Sequence, residues 1–269
     1  MNKSIGILGC GWLGFPLAKK LIEDGHTVSG TTTSSDKLEV LENEGITAFQ
    51  VNLSEKGIQG NIEGFLSHID TLIIDVPPKL RGKHTESFVE KMKFLIAEIK
   101  KSHVSNVIFV SSTAVYGNAE GEVSEESLTR PTTESGKQLV ECEAMFQNEA
   151  NFKTTIIRFG GLIGPDRHPV TTLSGREHLT GGNNPINLIH LHDCIHLIQT
   201  ILKHGYWGEI FNGVYPHHPQ KQVYYFEEAQ KRGLPAPSYQ TELSDKKGKI
   251  VVSHNFTSKG HSFKTPVIY

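Results

Sequence analysis

The sequence predicts an α/β protein: a doubly wound parallel sheet with a small C-terminal lobe. Three observations lead there. Short β-rich runs alternate with helical stretches through the first 160 residues, the pattern of parallel strands joined by right-handed crossovers. Several of those runs are continuously apolar, as in Val107-Ile108-Phe109-Val110, which suits strands covered on both faces. The chain's 269 residues suffice for one large domain, or for one domain with a minor lobe. Residues 1–160 are expected to form the core. Residues 161–269 are expected to form the lobe and to return elements to the core, within one compact unit.

Taken in order, strands are expected at Ser4–Leu8, Thr27–Thr31, Ala48–Asn52, Thr71–Asp75, Asn106–Val110 and Thr154–Phe159. Helices are expected at Gly14–Glu23, Asp36–Glu44, Phe88–Lys101 and Glu134–Asn148. In the third, Phe88, Met92, Leu95 and Ile99 recur every three or four positions and mark one buried stripe. Gly160–Pro185 is rich in Gly, Pro and Thr and reads as loops. Beyond it come a helix at Asp193–Lys203, a strand at Glu209–Asn212 and a helix at Gln222–Arg232.

Composition excludes several classes. Lys and Arg number 27 against 29 Asp and Glu, so no broad nucleic-acid footprint is expected. No apolar run approaches the ~20 residues of a membrane span, and the N-terminus reads as a buried strand rather than a signal peptide. Cys10, Cys142 and Cys194 are widely spaced and form neither a disulfide framework nor a zinc pattern; a reducing cytoplasm fits them. The histidines, His190, His192 and Asp193 included, follow no recognised zinc spacing, so no metal is expected.

The chemistry begins at the first turn. Gly9-Cys10-Gly11-Trp12-Leu13-Gly14 places G-x-G-x-x-G between a strand and a helix. Gly9 permits the tight turn, Gly11 lets backbone approach a pyrophosphate, and Gly14 lets the helix pack on the strand. Phosphates at that helix N-terminus meet unpaired N–H groups and a favourable dipole. Pro16 costs little in a first turn, and Cys10 reads as a small buried side chain that fits the loop. The motif therefore predicts a Rossmann-type dinucleotide site formed by Gly9 to Gly14, with Val76 and Pro77 contacting the cofactor after the strand Thr71–Asp75. An acidic end to the second strand would bind a ribose 2′-OH. Here Thr31, Thr32 and Thr33 stand there, followed by Asp36 and Lys37. Asp36 reads as a helix cap. Hydroxyls and Lys37 tolerate a 2′-phosphate better than a carboxylate would, so the balance tilts to NADP over NAD, without the arginine that usually grips the phosphate.

Further along stand Val110-Ser111-Ser112-Thr113-Ala114-Val115-Tyr116-Gly117, then Arg130-Pro131, Lys137 with Glu141, Arg158, Gly164-Pro165-Asp166-Arg167 and Ile189-His190-Leu191-His192-Asp193. In these residues and their order the chain resembles the extended branch of the short-chain dehydrogenase/reductase superfamily, the epimerase/dehydratase group, as one of its atypical members. The resemblance implies a cofactor along the sheet's carboxyl edge and a small polar, sugar-like substrate under the C-terminal lobe. It also implies that Ser112 orients a hydroxyl or carbonyl. Lys137 takes the position of the lysine that holds the nicotinamide ribose and lowers a tyrosine's pKa. Four residues earlier, where the family carries that tyrosine, this chain has Thr133, and a threonine hydroxyl does not ionise near neutrality.

Several of these residues admit plainer readings. Ser112 could close a turn, Lys137 and Glu141 could form an i,i+4 surface pair, and Tyr116 could be a wall residue or a stand-in acid. Thr113, Arg158, Arg167 and His190 are candidate substrate contacts, with either arginine equally able to pair with a carboxylate. Asp193 reads as a helix cap. Two functions are expected to compete: an NAD(P)-dependent oxidoreductase or epimerase/dehydratase acting on a small molecule, and a non-catalytic NAD(P) sensor.

Overall fold

Burial of the apolar runs assembles the sheet. The computed structural model describes residues 2–78, 86–240 and 247–267. Strand β1 (Ser4–Leu8) leads to α1 (Gly14–Glu23), β2 (Thr27–Thr32), a 3-10 turn at Ser35–Lys37 and α2 (Leu38–Glu42). The hairpin β3 (Thr47–Ser54) and β4 (Gly57–Gly60) precedes α3 (Ile62–Leu66), β5 (Thr71–Ile74), α4 (Phe88–Ile99) and β6 (Asn106–Ser112). A 3-10 turn at Thr113–Tyr116 is followed by β7 (Gly121–Val123), α5 (Glu134–Gln147), β8 (Lys153–Phe159) and β9 (Gly161–Ile163). Then come α6 (Pro169–Leu173), β10 (Leu188–His190), α7 (Leu191–His204), β11 (Ile210–Gly213), α8 (Lys221–Lys231), β12 (Lys249–Val251) and α9 (His254–Ser258).

The main sheet has the order β11-β8-β6-β5-β1-β2-β3-β4. The pairs β1–β2, β1–β5, β2–β3 and β5–β6 are parallel, and β3–β4 is an antiparallel edge. Strand order therefore reverses beside β1, the place in such sheets where ligands bind, outside the carboxyl ends of the strands. Apolar contacts hold the covering helices. Phe109 of β6 stacks on Phe146 of α5 with centroids 5.0 Å apart, and Phe88 of α4 lies 6.5 Å from the Phe109 ring. The α4 stripe of Phe88, Met92, Leu95 and Ile99 is buried as expected.

The chain forms two compact units. One comprises Met1–Ser112, Thr133–Ile157 and Ile198–Ile210; the other Thr113–Thr132, Arg158–Leu197 and Phe211–Tyr269. The units interleave in sequence. The second has its own core of Ile163, Val170, Ile186, Leu188, Tyr224, Tyr225, Ala229 and Val267. Gly160–Pro185, expected as loops, contains β9 and α6. Two expected caps are corrected. Ser34, not Asp36, stands at the N-cap of the 3-10 turn. Helix α7 begins at Leu191, so Asp193 lies in its first turn. Its carboxylate accepts the amides of Lys264 and Thr265, both at 2.9 Å. Among the described residues no helix is long and apolar enough to cross a membrane.

Candidate functional site

The turn after β1 gives each glycine a separate physical reason. Gly9 has φ +108°, and a Cβ there would lie 2.6 Å from the Asp75 carbonyl oxygen and 3.0 Å from Val76. At Gly14 a Cβ would fall 2.2 Å from the Gly9 oxygen, so only glycine lets α1 start this close to the strand. Gly11 differs: nothing lies within 4 Å of its would-be Cβ. That open space is what a backbone approach by pyrophosphate requires.

The loop's amides divide into two groups. Those of Gly9, Cys10 and Gly11 turn inward, to the Thr31 hydroxyl (2.9 Å), the Thr31 carbonyl (2.9 Å) and the Gly9 carbonyl (2.8 Å). Among the described residues the amides of Leu13 and Gly14 have no acceptor. No side chain caps α1 and no acidic residue enters its first turn, so no side-chain charge neutralises its positive end. Trp12 is half-buried at this turn, while Leu13 is buried. The donor set and the open Gly11 fit a dinucleotide pyrophosphate.

Cys10 is buried, and burial pushes its thiol up to about 12, which makes it a poor nucleophile. Its sulfur fills the space left by Gly30, where a Cβ would approach to 2.4 Å. At the end of β2, Thr32 is buried and its hydroxyl accepts the Ser34 amide at 3.2 Å. Thr33 and Lys37 are exposed, and so is Pro77, with Val76 half-buried beside Gly9. Thr33 lines a hollow of about 670 Å³ with Phe49, Gln50, Asn52, Gln59 and Asn61, and no acidic side chain lines it.

Ser112 closes β6 and is half-buried. Its neighbour Ser111 is buried and donates to Glu143 of α5 at 2.6 Å. Thr133 is the N-cap of α5, its hydroxyl accepting the Gly136 amide at 3.2 Å. Lys137 follows on that helix's first turns, exposed, and among the described residues no ion pair joins it to Glu141. The i,i+4 pair is therefore not formed.

The second unit holds the remaining candidates. Tyr116 is fully buried; its hydroxyl donates to Asn212 at 2.8 Å and accepts from Arg158 at 3.0 Å, and the Arg158 guanidinium lies 5.1 Å from the ring centroid. Burial raises its pKa, with Arg158 opposing. Thr113 is buried, and Arg167 is exposed at the Gly164–Arg167 turn. His190 is buried with its ring 4.7 Å from His192; it accepts the His192 amide at 3.2 Å, and burial lowers its pKa.

Two groups escaped the sequence reading. Glu125 is buried and accepts the amides of Asn212, His254 and Asn255 at 2.9, 3.1 and 3.3 Å. Lys249 donates to the carbonyls of Thr113 (2.9 Å) and Gly117 (2.7 Å), clamping the turn after β6. Neither lies in a motif. Their partners sit more than 80 residues away, so no local spacing could have marked them.

Comparison with known proteins adds kinship to this geometry. The model of a family described as NAD(P)H-binding matches residues 9–189. Protein YeeZ of Escherichia coli K12 is 33% identical over 250 residues, covering 93% of this chain and 91% of YeeZ. MoeE5, solved in complex with UDP-glucuronic acid and NAD, superposes with a TM-score of 0.76 at 18% identity, covering 98% of this chain and 95% of its own. A short-chain dehydrogenase/reductase superfamily protein of Agrobacterium tumefaciens with bound NAD gives 0.78 at 14% identity, covering 98% and 93%. At those identities the likeness establishes the shared fold.

Proposed function

The chain belongs to the NAD(P)H-binding family, and on that premise we propose that it is an NAD(P)-dependent oxidoreductase or epimerase/dehydratase acting on a small polar, sugar-like molecule. The reaction is placed at a hydroxyl or carbonyl carbon. One observation carries this reading: Gly11 faces open space while Leu13 and Gly14 offer unused amides at a helix N-terminus. MoeE5 is described with UDP-glucuronic acid, which supports a sugar nucleotide as the first substrate class to try.

In this reading Gly9 to Gly14 hold the pyrophosphate, with Val76 and Pro77 beside it. The bound nicotinamide would supply or accept hydride. Ser112 orients the reacting oxygen by a hydrogen bond, and Lys137, not paired with Glu141, holds the ribose. Positioning of this kind retains much of a hydride transfer's acceleration, whereas a general acid adds about 10²–10⁴-fold. Tyr116 has its hydroxyl occupied on both sides and its pKa raised, which supports a wall role and leaves the proton to water or to the substrate. Arg158 is buried against Tyr116, so exposed Arg167 is the stronger candidate for an anionic substrate group, with Thr113 and His190 as further contacts. The acid-free hollow beside Thr33, with Lys37 exposed nearby in sequence, supports NADP over NAD. Three buried cysteines, none of them in a disulfide, support a cytoplasmic location.

A second reading, a non-catalytic NAD(P) sensor, is favoured by one observation: Thr133 is spent on capping α5. Parallel titrations with NADPH and NADH, followed by a screen of UDP-sugars for isotopic exchange or redox turnover, test both. We expect tighter NADPH binding and slow turnover. Absence of binding to either dinucleotide overturns the proposal. Tight binding with no conversion of any sugar nucleotide favours the sensor.

A further inference from the structure

We infer that Thr31 is a positioning residue for the dinucleotide, acting through the amides of Gly9 and Cys10 rather than by touching the ligand. Spacing alone would make it a cofactor contact, since it stands where the second strand meets the ribose. Its surroundings say otherwise. Thr31 is 2% exposed, and its hydroxyl accepts the Gly9 amide at 2.9 Å while its carbonyl accepts the Cys10 amide at 2.9 Å. Two consecutive loop residues are thereby pinned to one residue of β2. Gly9 has a positive φ, and its carbonyl accepts the Gly11 amide, so the pinned conformation passes directly to the open position at Gly11. The Cys10 thiol, seated over Gly30, adds a steric key to the same strand. With the first three amides turned inward, the loop can present to a phosphate only its later amides, at the start of α1. Thr31 therefore sets which amides face the ligand.

Removing the hydroxyl leaves the Gly9 amide without its acceptor beside a buried residue, a loss comparable to one hydrogen bond plus a desolvated donor. The inference rests on the reading that this loop binds NAD(P), and the experiment separates the two. Calorimetric titrations of wild type, Thr31→Val and Thr31→Ser are run with NADPH, NADH and ADP, alongside melting of each ligand-free protein. The expected result is a common loss of about tenfold for all three ligands in Thr31→Val. Thr31→Ser should stay within about twofold of wild type, because it keeps the acceptor, and ligand-free Thr31→Val should melt lower than wild type while still unfolding cooperatively. Wild-type affinity in Thr31→Val overturns the inference. A loss that changes the NADPH to NADH ratio overturns it too, by making Thr31 a direct ribose contact. If Thr31→Val does not fold, Thr31→Ala carries the comparison, and failure of both marks a folding residue and rejects the positioning role. Wild-type protein that binds none of the ligands removes the nucleotide reading itself, and this inference with it.

Discussion

Gly11 and Gly30 are both glycines near the same loop, yet they answer to opposite demands. At Gly11 a side chain meets only open space, so Gly11→Val should leave the ligand-free melting midpoint unchanged while abolishing dinucleotide binding by calorimetry. Wild-type affinity in that variant would sink the proposed role of the loop. At Gly30 the added methyl collides with the Cys10 sulfur at 2.4 Å and with Ile46 at 2.9 Å. Gly30→Ala should therefore cost about 1–3 kcal/mol by overpacking. Removing the sulfur in the Cys10→Ala, Gly30→Ala double variant should return most of that loss, since the Cys10 Cβ lies 4.0 Å from the added atom. Denaturant melts of the two single variants and the double variant measure the coupling. Equal and additive losses would mean that the two residues are independent.

Helix α5 fixes what the residue four before Lys137 does. Its first helical residue is Glu134, so the position four before Lys137 falls at the N-cap, where Thr133 adopts extended dihedrals and accepts a backbone amide. Thr133→Ala should cost about 1 kcal/mol in a melt. Thr133→Tyr should cost about as much and leave turnover no higher, because a phenol cannot replace the cap's short acceptor. A rise in turnover would show that the absence of a phenol at this position limits the chemistry. The longer elements were legible because they repeat: β1, β6 and the α4 stripe each bury a run or a periodic face that the sequence displays. Strands β7, β9, β10 and β12 were not, since each spans three residues and pairs with a partner remote in sequence. The same holds within the candidate site. Gly9, Gly11 and Gly14 announce themselves by spacing, whereas Lys249 reaches Thr113 across 136 positions. Asp193 misled because its carboxylate serves the amides of Lys264 and Thr265 rather than its own helix.

At the scale of the whole molecule, acid should loosen the protein before it reaches carboxylate pH. His168 accepts the Val170 amide at Nδ1 (3.2 Å), so its Nε2–H faces the Tyr224 hydroxyl at 2.9 Å, and that hydroxyl donates to the Val267 carbonyl. Burial first, and Arg232 second, lower its pKa to about 4, with Glu228 opposing. The folded state thus keeps this histidine neutral while an unfolded chain protonates it near 6.5. Its stabilising contribution is complete above pH ~6.5 and declines as pH falls toward ~4, by at most about 3 kcal/mol. Burial also lowers His190, His196 and His218, which act in the same direction, while the raised carboxyl of Glu125 acts against them. Melts from pH ~7 to ~4 should show a falling midpoint, with a visibly shallower fall in His168→Gln. Parallel slopes would remove His168 as a source.

The interleaving of the two units also bears on how the chain is made. As it emerges from the ribosome, the unit that carries the Gly9–Gly14 turn has its first 112 residues early. It must wait for Thr133–Ile157 and then for Ile198–Ile210 before its last pieces exist. The other unit begins at Thr113 and ends with the final residues, so neither can be finished while the other is still unmade. A gene cut after codon 160 would therefore encode a fragment lacking Ile198–Ile210, with β11 and its sheet edge missing. Such a fragment should emerge aggregated or protease-sensitive, whereas the intact chain should melt in a single transition.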